Sequence, residues 1–70
     1  MPDVLAEMVA NVWRVLVAPG DAVAEGDALV ILESMKMEIP VESPLSGTVR
    51  DVRVAEGGVV QEGDVIAVVE

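Results

Sequence analysis

Residues 11–33 read NVWRVLVAPGDAVAEGDALVILE, and residues 48–70 read TVRDVRVAEGGVVQEGDVIAVVE. A shift of 37 positions lays the first stretch over the second without a gap. Ten of the 23 positions are identical: Val12/Val49, Val15/Val52, Val17/Val54, Ala18/Ala55, Gly20/Gly57, Val23/Val60, Glu25/Glu62, Gly26/Gly63, Asp27/Asp64 and Glu33/Glu70. Leu29/Ile66 and Ile31/Val68 are conservative. A valine-rich chain matches itself at a few apolar positions by chance, but not in the ordered Gly-x5-Gly-Asp frame twice. Solenoids need at least three repeats. Two copies instead predict half-domains that share one core about a pseudo-two-fold axis.

Both halves read as β. Short Val, Ile and Leu runs are bounded by Gly, Asp and Pro at close spacing, and nothing sustains a helical period. Pro19-Gly20-Asp21, Gly26-Asp27, Gly57-Gly58 and Gly63-Asp64 are turn chemistry. Strands are expected over residues 4–8, 12–17, 29–33, 37–41, 49–54 and 65–69, with short ones at Val23 and Val60. The fold class is therefore all-β, a flattened barrel or sandwich of two quasi-symmetric halves forming a single domain over residues 1–70. Alternation puts Val15, Val17, Val52 and Val54 inward. Trp13 and its mate Arg50 share that parity, and a buried Arg there is implausible. A bulge near the start of both strands resolves the conflict and leaves Trp13 half-exposed, at a core edge or against a partner.

Composition narrows the function. The chain has 70 residues, no Cys and no His, so it has neither a disulfide nor a plausible zinc site. Ser34, Ser43 and Ser46 have no evident base, and no nucleophilic triad can be assembled. No catalytic or metal-binding residue is expected. A net charge of −9 repels a phosphate backbone, which argues against nucleic acid as a partner. The longest apolar runs are five residues, against about 20 for a membrane span. Met1-Pro2-Asp3 starts no signal peptide. A cytoplasmic protein, monomeric when free and without a membrane partner, is the expectation.

Glu33-Ser34-Met35-Lys36-Met37-Glu38 joins the two halves. With a strand on either side, its middle must be a tight turn. A two-residue hairpin loop favours Asn-Gly or Gly-x, because positive φ is required there. Met35-Lys36 offers neither, so function rather than folding selects this turn. Lys36 is also the only lysine in the chain. Its methionine neighbours, which are flexible thioethers, suit an adaptable contact surface.

Ser34-Met35-Lys36-Met37 resembles the Ala/Ser-Met-Lys-Met signature of biotinyl domains, as in biotin carboxyl carrier proteins. Glu33 directly precedes the signature, and Pro44-Leu45-Ser46-Gly47 matches a downstream Pro-x-x-Gly. Gly20-Asp21 through Gly26-Asp27 and Gly57 through Asp64 are similar to the family's paired loops. The resemblance covers all but residues 1–3 and is strongest to the short, free-standing biotin/lipoyl attachment proteins of bacteria. The chain has no Pro/Ala-rich linker and no room in residues 21–26 for the protruding thumb of some longer carriers.

The resemblance implies a biotinyl/lipoyl-like hammerhead fold with biotin attached covalently to Lys36 by a biotin protein ligase. Met35, Met37 and Ser34 would flank it as recognition residues, with Glu33 and Glu38 as solvated turn flanks. It further implies a non-catalytic carrier that serves a biotin carboxylase and a carboxyltransferase, with an acyl-CoA as the common acceptor. An ordinary lysine, of pKa about 10.4, is almost wholly protonated near pH 7. Self-modification is thus excluded, and the ligase must deprotonate the amine. Lipoyl carriers usually read Asp-Lys-Ala at this turn, which makes a lipoyl carrier the lesser alternative. Unmodified binding modules of the same fold commonly lack the lysine and its methionines.

Overall fold

The structure is a computed structural model that describes residues 3–70. Residues 1 and 2, the start of the expected domain, lie outside the described residues. Eight strands form: β1 (Asp3–Leu5), β2 (Ala10–Val15), β3 (Ala22–Val23), β4 (Ala28–Ser34), β5 (Met37–Glu42), β6 (Gly47–Val52), β7 (Val59–Val60) and β8 (Val65–Val69). They make two four-stranded antiparallel sheets, ordered β1-β8-β6-β3 and β5-β4-β2-β7. The architecture is the all-β flattened sandwich expected.

The 37-residue offset carries β2 to β6, β3 to β7 and β4 to β8, so one sheet order maps onto the other. The halves are not simply back to back, however. β3 of the first half pairs with β6 of the second, and β7 of the second pairs with β2 of the first. Each half completes its partner's sheet. The symmetry also reaches beyond the aligned stretches. Ser43 exchanges two backbone hydrogen bonds with the Gly26-Asp27 turn, and Ala6 does the same with Gly63-Asp64. Ser43 and Ala6 are 37 positions apart, yet nothing in their side chains signals the equivalence.

The core lies between the sheets and is built from repeat mates: Val12 with Val49, Leu29 with Ile66, Val30 with Ala67, Leu32 with Val69, and Val23 with Val60, all buried. Val15, Val17, Val52 and Val54 pack against this cluster half-buried. The bulge is present in both halves. The β2–β4 register slips between Val12 and Arg14, and the β6–β8 register slips between Val49 and Asp51. The extra residues are Trp13 and Arg50, so each strand can turn a valine towards the core on either side of its bulge. Trp13 stays 38% exposed, with the Arg14 guanidinium 4.7 Å from its ring centroid. Arg50 reaches out to Glu70 at 2.9 Å.

Strand limits differ from expectation in a symmetric way. β2 and β6 begin two residues early and end two residues early. Ladder pairing at their starts is supplied by β7 and β3, the borrowed strands. β1 ends at Leu5 because Ala6 turns to the Gly63-Asp64 loop. The Gly-Asp frame is a turn device. Gly26 and Gly63 take φ of 91° and 92°, a region closed to most side chains. The following Asp27 and Asp64 carboxylates accept the N–H of Ala24 and Gln61, each at 2.9 Å.

Gly47 has a different reason. Its backbone lies so close to the last residue that an added Cβ would collide with the Glu70 carbonyl oxygen and sit 2.8 Å from its carbon. Both groups are backbone, held by the Thr48–Glu70 hydrogen bonds of 2.7 and 2.9 Å. Gly47→Ala is expected to destabilise the fold by about 1–3 kcal/mol through overpacking. Urea unfolding should show a lower midpoint at unchanged slope.

Candidate functional site: the Met35-Lys36 hairpin

β4 and β5 pair in unbroken register up to the turn: Leu32 with Ile39, Glu33 with Glu38, and Ser34 with Met37. That leaves two residues to reverse the chain. Met35 and Lys36 both take positive φ, 52° and 64°. This is the backbone required of a two-residue hairpin whose twist matches its strands, adopted without Asn or Gly. Roughly 1–3 kcal/mol of strain per residue is held here by the ladder beneath.

The strain places side chains outward. Met35 is 91% exposed and Met37 63%. Lys36 is exposed, and among the described residues it joins no ion pair or hydrogen bond. Ser34 is half-buried at the base. The place of Lys36 midway along the sequence suggests a position near the pseudo-two-fold centre, but the structure sets it off that axis. An element on that axis would map onto itself, whereas the β4–β5 hairpin maps onto β8 and β1. The tip is therefore remote from the shared core and unobstructed by it.

Below the tip, one row crosses the sheet: Val59, Asn11, Glu33 and Glu38, each opposite the next. Glu33 and Glu38 are like charges set directly opposite, an arrangement that destabilises a sheet by a few tenths of a kcal/mol. Val9 and Val59, 63% and 64% exposed, border an open depression of 470 Å³ whose rim includes Asn11, Met35 and Lys36. Sequence reading did not single out Val9 or Val59. Val59 arrives on β7, the strand lent by the other half, and no local pattern reports that proximity. Among the described residues there is no cluster of His, Cys, Asp and Glu fit to hold a metal ion.

What this arrangement offers chemically is one primary amine on a rigid pedestal, flanked by apolar thioethers. It suits amide formation with a carboxylic acid, not catalysis. Comparison with known proteins agrees. Residues 1–69 match the family described as biotin-requiring enzyme, the biotin/lipoyl attachment domain. The chain belongs to the biotin/lipoyl attachment family. It is 55% identical over 67 residues to the "Biotinylated protein TB7.3 homolog" of Mycobacterium leprae, covering 96% of this chain and 94% of that one. It is 48% identical over 60 residues to the "Biotin/lipoyl attachment protein" of Bacillus subtilis, covering 86% and 82%. Among solved structures, Kluyveromyces lactis urea carboxylase matches with a TM-score of 0.92 and 33% identity. The match covers 99% of this chain but 6% of that enzyme. The chain is thus a small carrier domain of the non-catalytic kind, and family membership implies biotin or a lipoyl group held covalently on a lysine.

Relieving the strain tests the local account. Met35→Asn with Lys36→Gly installs the residues that this turn favours, and should stabilise the fold by about 1–2 kcal/mol. Urea unfolding monitored by Trp13 fluorescence would show it as a raised midpoint.

Proposed function

We propose that the chain is a biotin carrier in which the Lys36 Nζ forms the amide to the cofactor. The observation that carries this is that the only lysine stands at the tip of a strained turn, unpaired among the described residues and between exposed methionines. Methionine on both sides favours biotin over a lipoyl group, and the Mycobacterium leprae relative is named as biotinylated.

Each residue has a part. The β4–β5 ladder fixes the direction of the tip, so a partner meets one geometry rather than a mobile loop. Met35 and Met37 give a biotin protein ligase an adaptable apolar contact without rigid shape demands. Among the described residues no side chain is hydrogen-bonded to the amine, so the ligase supplies the base that deprotonates it and the activated acyl group. Ser34 anchors the base of the turn opposite Met37. Bound biotin supplies a ureido nitrogen that accepts and releases a carboxyl group. This chain's contribution is positional: a tether keeps the group at an effective concentration of about millimolar at each site in reach. The sites are those of a biotin carboxylase and a carboxyltransferase, with an acyl-CoA as acceptor. The same proposal places the protein in the cytoplasm. Among the described residues no helix is long and apolar enough to cross a membrane.

Lys36→Arg keeps the charge and the fold, and should abolish avidin reactivity after co-expression with biotin ligase. Retained biotin, read by intact mass, would overturn the assignment. Met35→Ala should slow biotin incorporation roughly fivefold or more, as loss of a well-used contact does, with stability unchanged.

A further inference from the structure

Among the described residues six strand pairings build the protein, and only β2–β4 and β6–β8 lie within one half. The other four, β1–β8, β2–β7, β3–β6 and β4–β5, join residues 3–34 to residues 37–70. The buried core is likewise drawn from both halves. The halves therefore present to each other an extensive and specific interface, yet their covalent connection is the two residues Met35 and Lys36. Both sit in the left-handed region that non-glycine residues resist. A short hinge under strain between mutually complementary halves is the situation in which chains exchange parts.

We propose that the protein forms a strand-exchanged dimer with a second copy of itself by opening this hairpin. Residues 3–34 of one copy pack on residues 37–70 of the other, and the reverse, so the four pairings and the buried contacts that join the halves are regenerated between copies. β4, Met35, Lys36 and β5 then run on as one continuous strand. The register fixes how the two such strands meet. Ser34 already faces Met37, so the next pair is Met35 of one copy opposite Lys36 of the other. The opened form releases the positive-φ strain twice and loses no ladder. Opposing it is charge: each copy carries −9, so low salt holds the closed monomer. The consequence for the carrier role rests on Lys36 as the attachment residue. In the exchanged dimer that side chain stands in a ladder rather than at a tip, and is a poorer substrate for a ligase.

The test needs no cofactor, so its outcome is independent of the attachment assignment. Full-length protein is unfolded in denaturant, refolded at high protein concentration in high salt, and weighed by light scattering after size exclusion. The expected product includes a species of twice the 7.3 kDa chain mass, less abundant when refolding is done in low salt. Met35→Asn with Lys36→Gly should reduce that species about tenfold or more, because its closed turn is unstrained. Deletion of Met35 and Lys36 leaves too little chain to turn, and should yield dimer alone. A wild type that stays monomeric, a double variant that dimerises as readily as wild type, or a monomeric deletion variant would each overturn the proposal. Should the deletion variant not fold, wild type and double variant decide it between them.

Discussion

The reciprocal lending of β3 and β7 is the constraint on which the rest of the protein depends. A half-chain has one long antiparallel pair, β2–β4 or β6–β8, and a two-stranded ribbon alone is marginal in water. Adding a short strand of the other half, β3 or β7, along one side of that pair and β1 or β5 along the other, and docking the two apolar faces, gives each sheet its full width and its cover. Neither half has a complete sheet without the other. Seventy residues with no cysteine and, among the described residues, no cluster fit to hold a metal ion thereby reach a core in which Leu29, Val30, Ile66, Ala67 and Val69 are fully shielded.

That arrangement also determines where the Lys36 side chain stands. The hairpin's mate under the symmetry is the β8–β1 pairing, so the two sites lie off the axis, each on its own sheet. An axial turn would be hemmed by both halves, whereas an off-axis turn projects from one sheet edge. The strain at Met35 and Lys36 is tolerated because six register pairs of the β4–β5 ladder, counted from Ala28–Glu42 to Ser34–Met37, leave the two residues no other path. Rigidity below and chemical simplicity above are complementary requirements of the carrier role proposed for Lys36.

The bulges at Trp13 and Arg50 solve a packing problem in the same currency. Each strand needs a buried valine near its start, Val12 or Val49, and a half-buried one further on, Val15 or Val52. Their spacing of three violates the two-residue period of a strand. One extra residue restores both, and the displaced side chain goes to the surface as an arginine in one half and a tryptophan in the other.

Several features were legible in the residues themselves. The repeat, the eight strands, the turn glycines with their aspartates, the paired bulge and the exposed lysine all depend on local pattern: period two, positive φ, and parity conflict. Those signals act over a few residues and survive without knowledge of neighbours. The tertiary structure alone decided the exchange of β3 and β7, the kinship of Ser43 with Ala6, the collision that reserves position 47 for glycine, and the presence of Val9 and Val59 beside the turn. Each of these is a contact between segments distant in the chain, formed through backbone hydrogen bonds or close backbone approach. Backbone groups are the same at every residue, so side-chain pattern carries no record of which ones will meet.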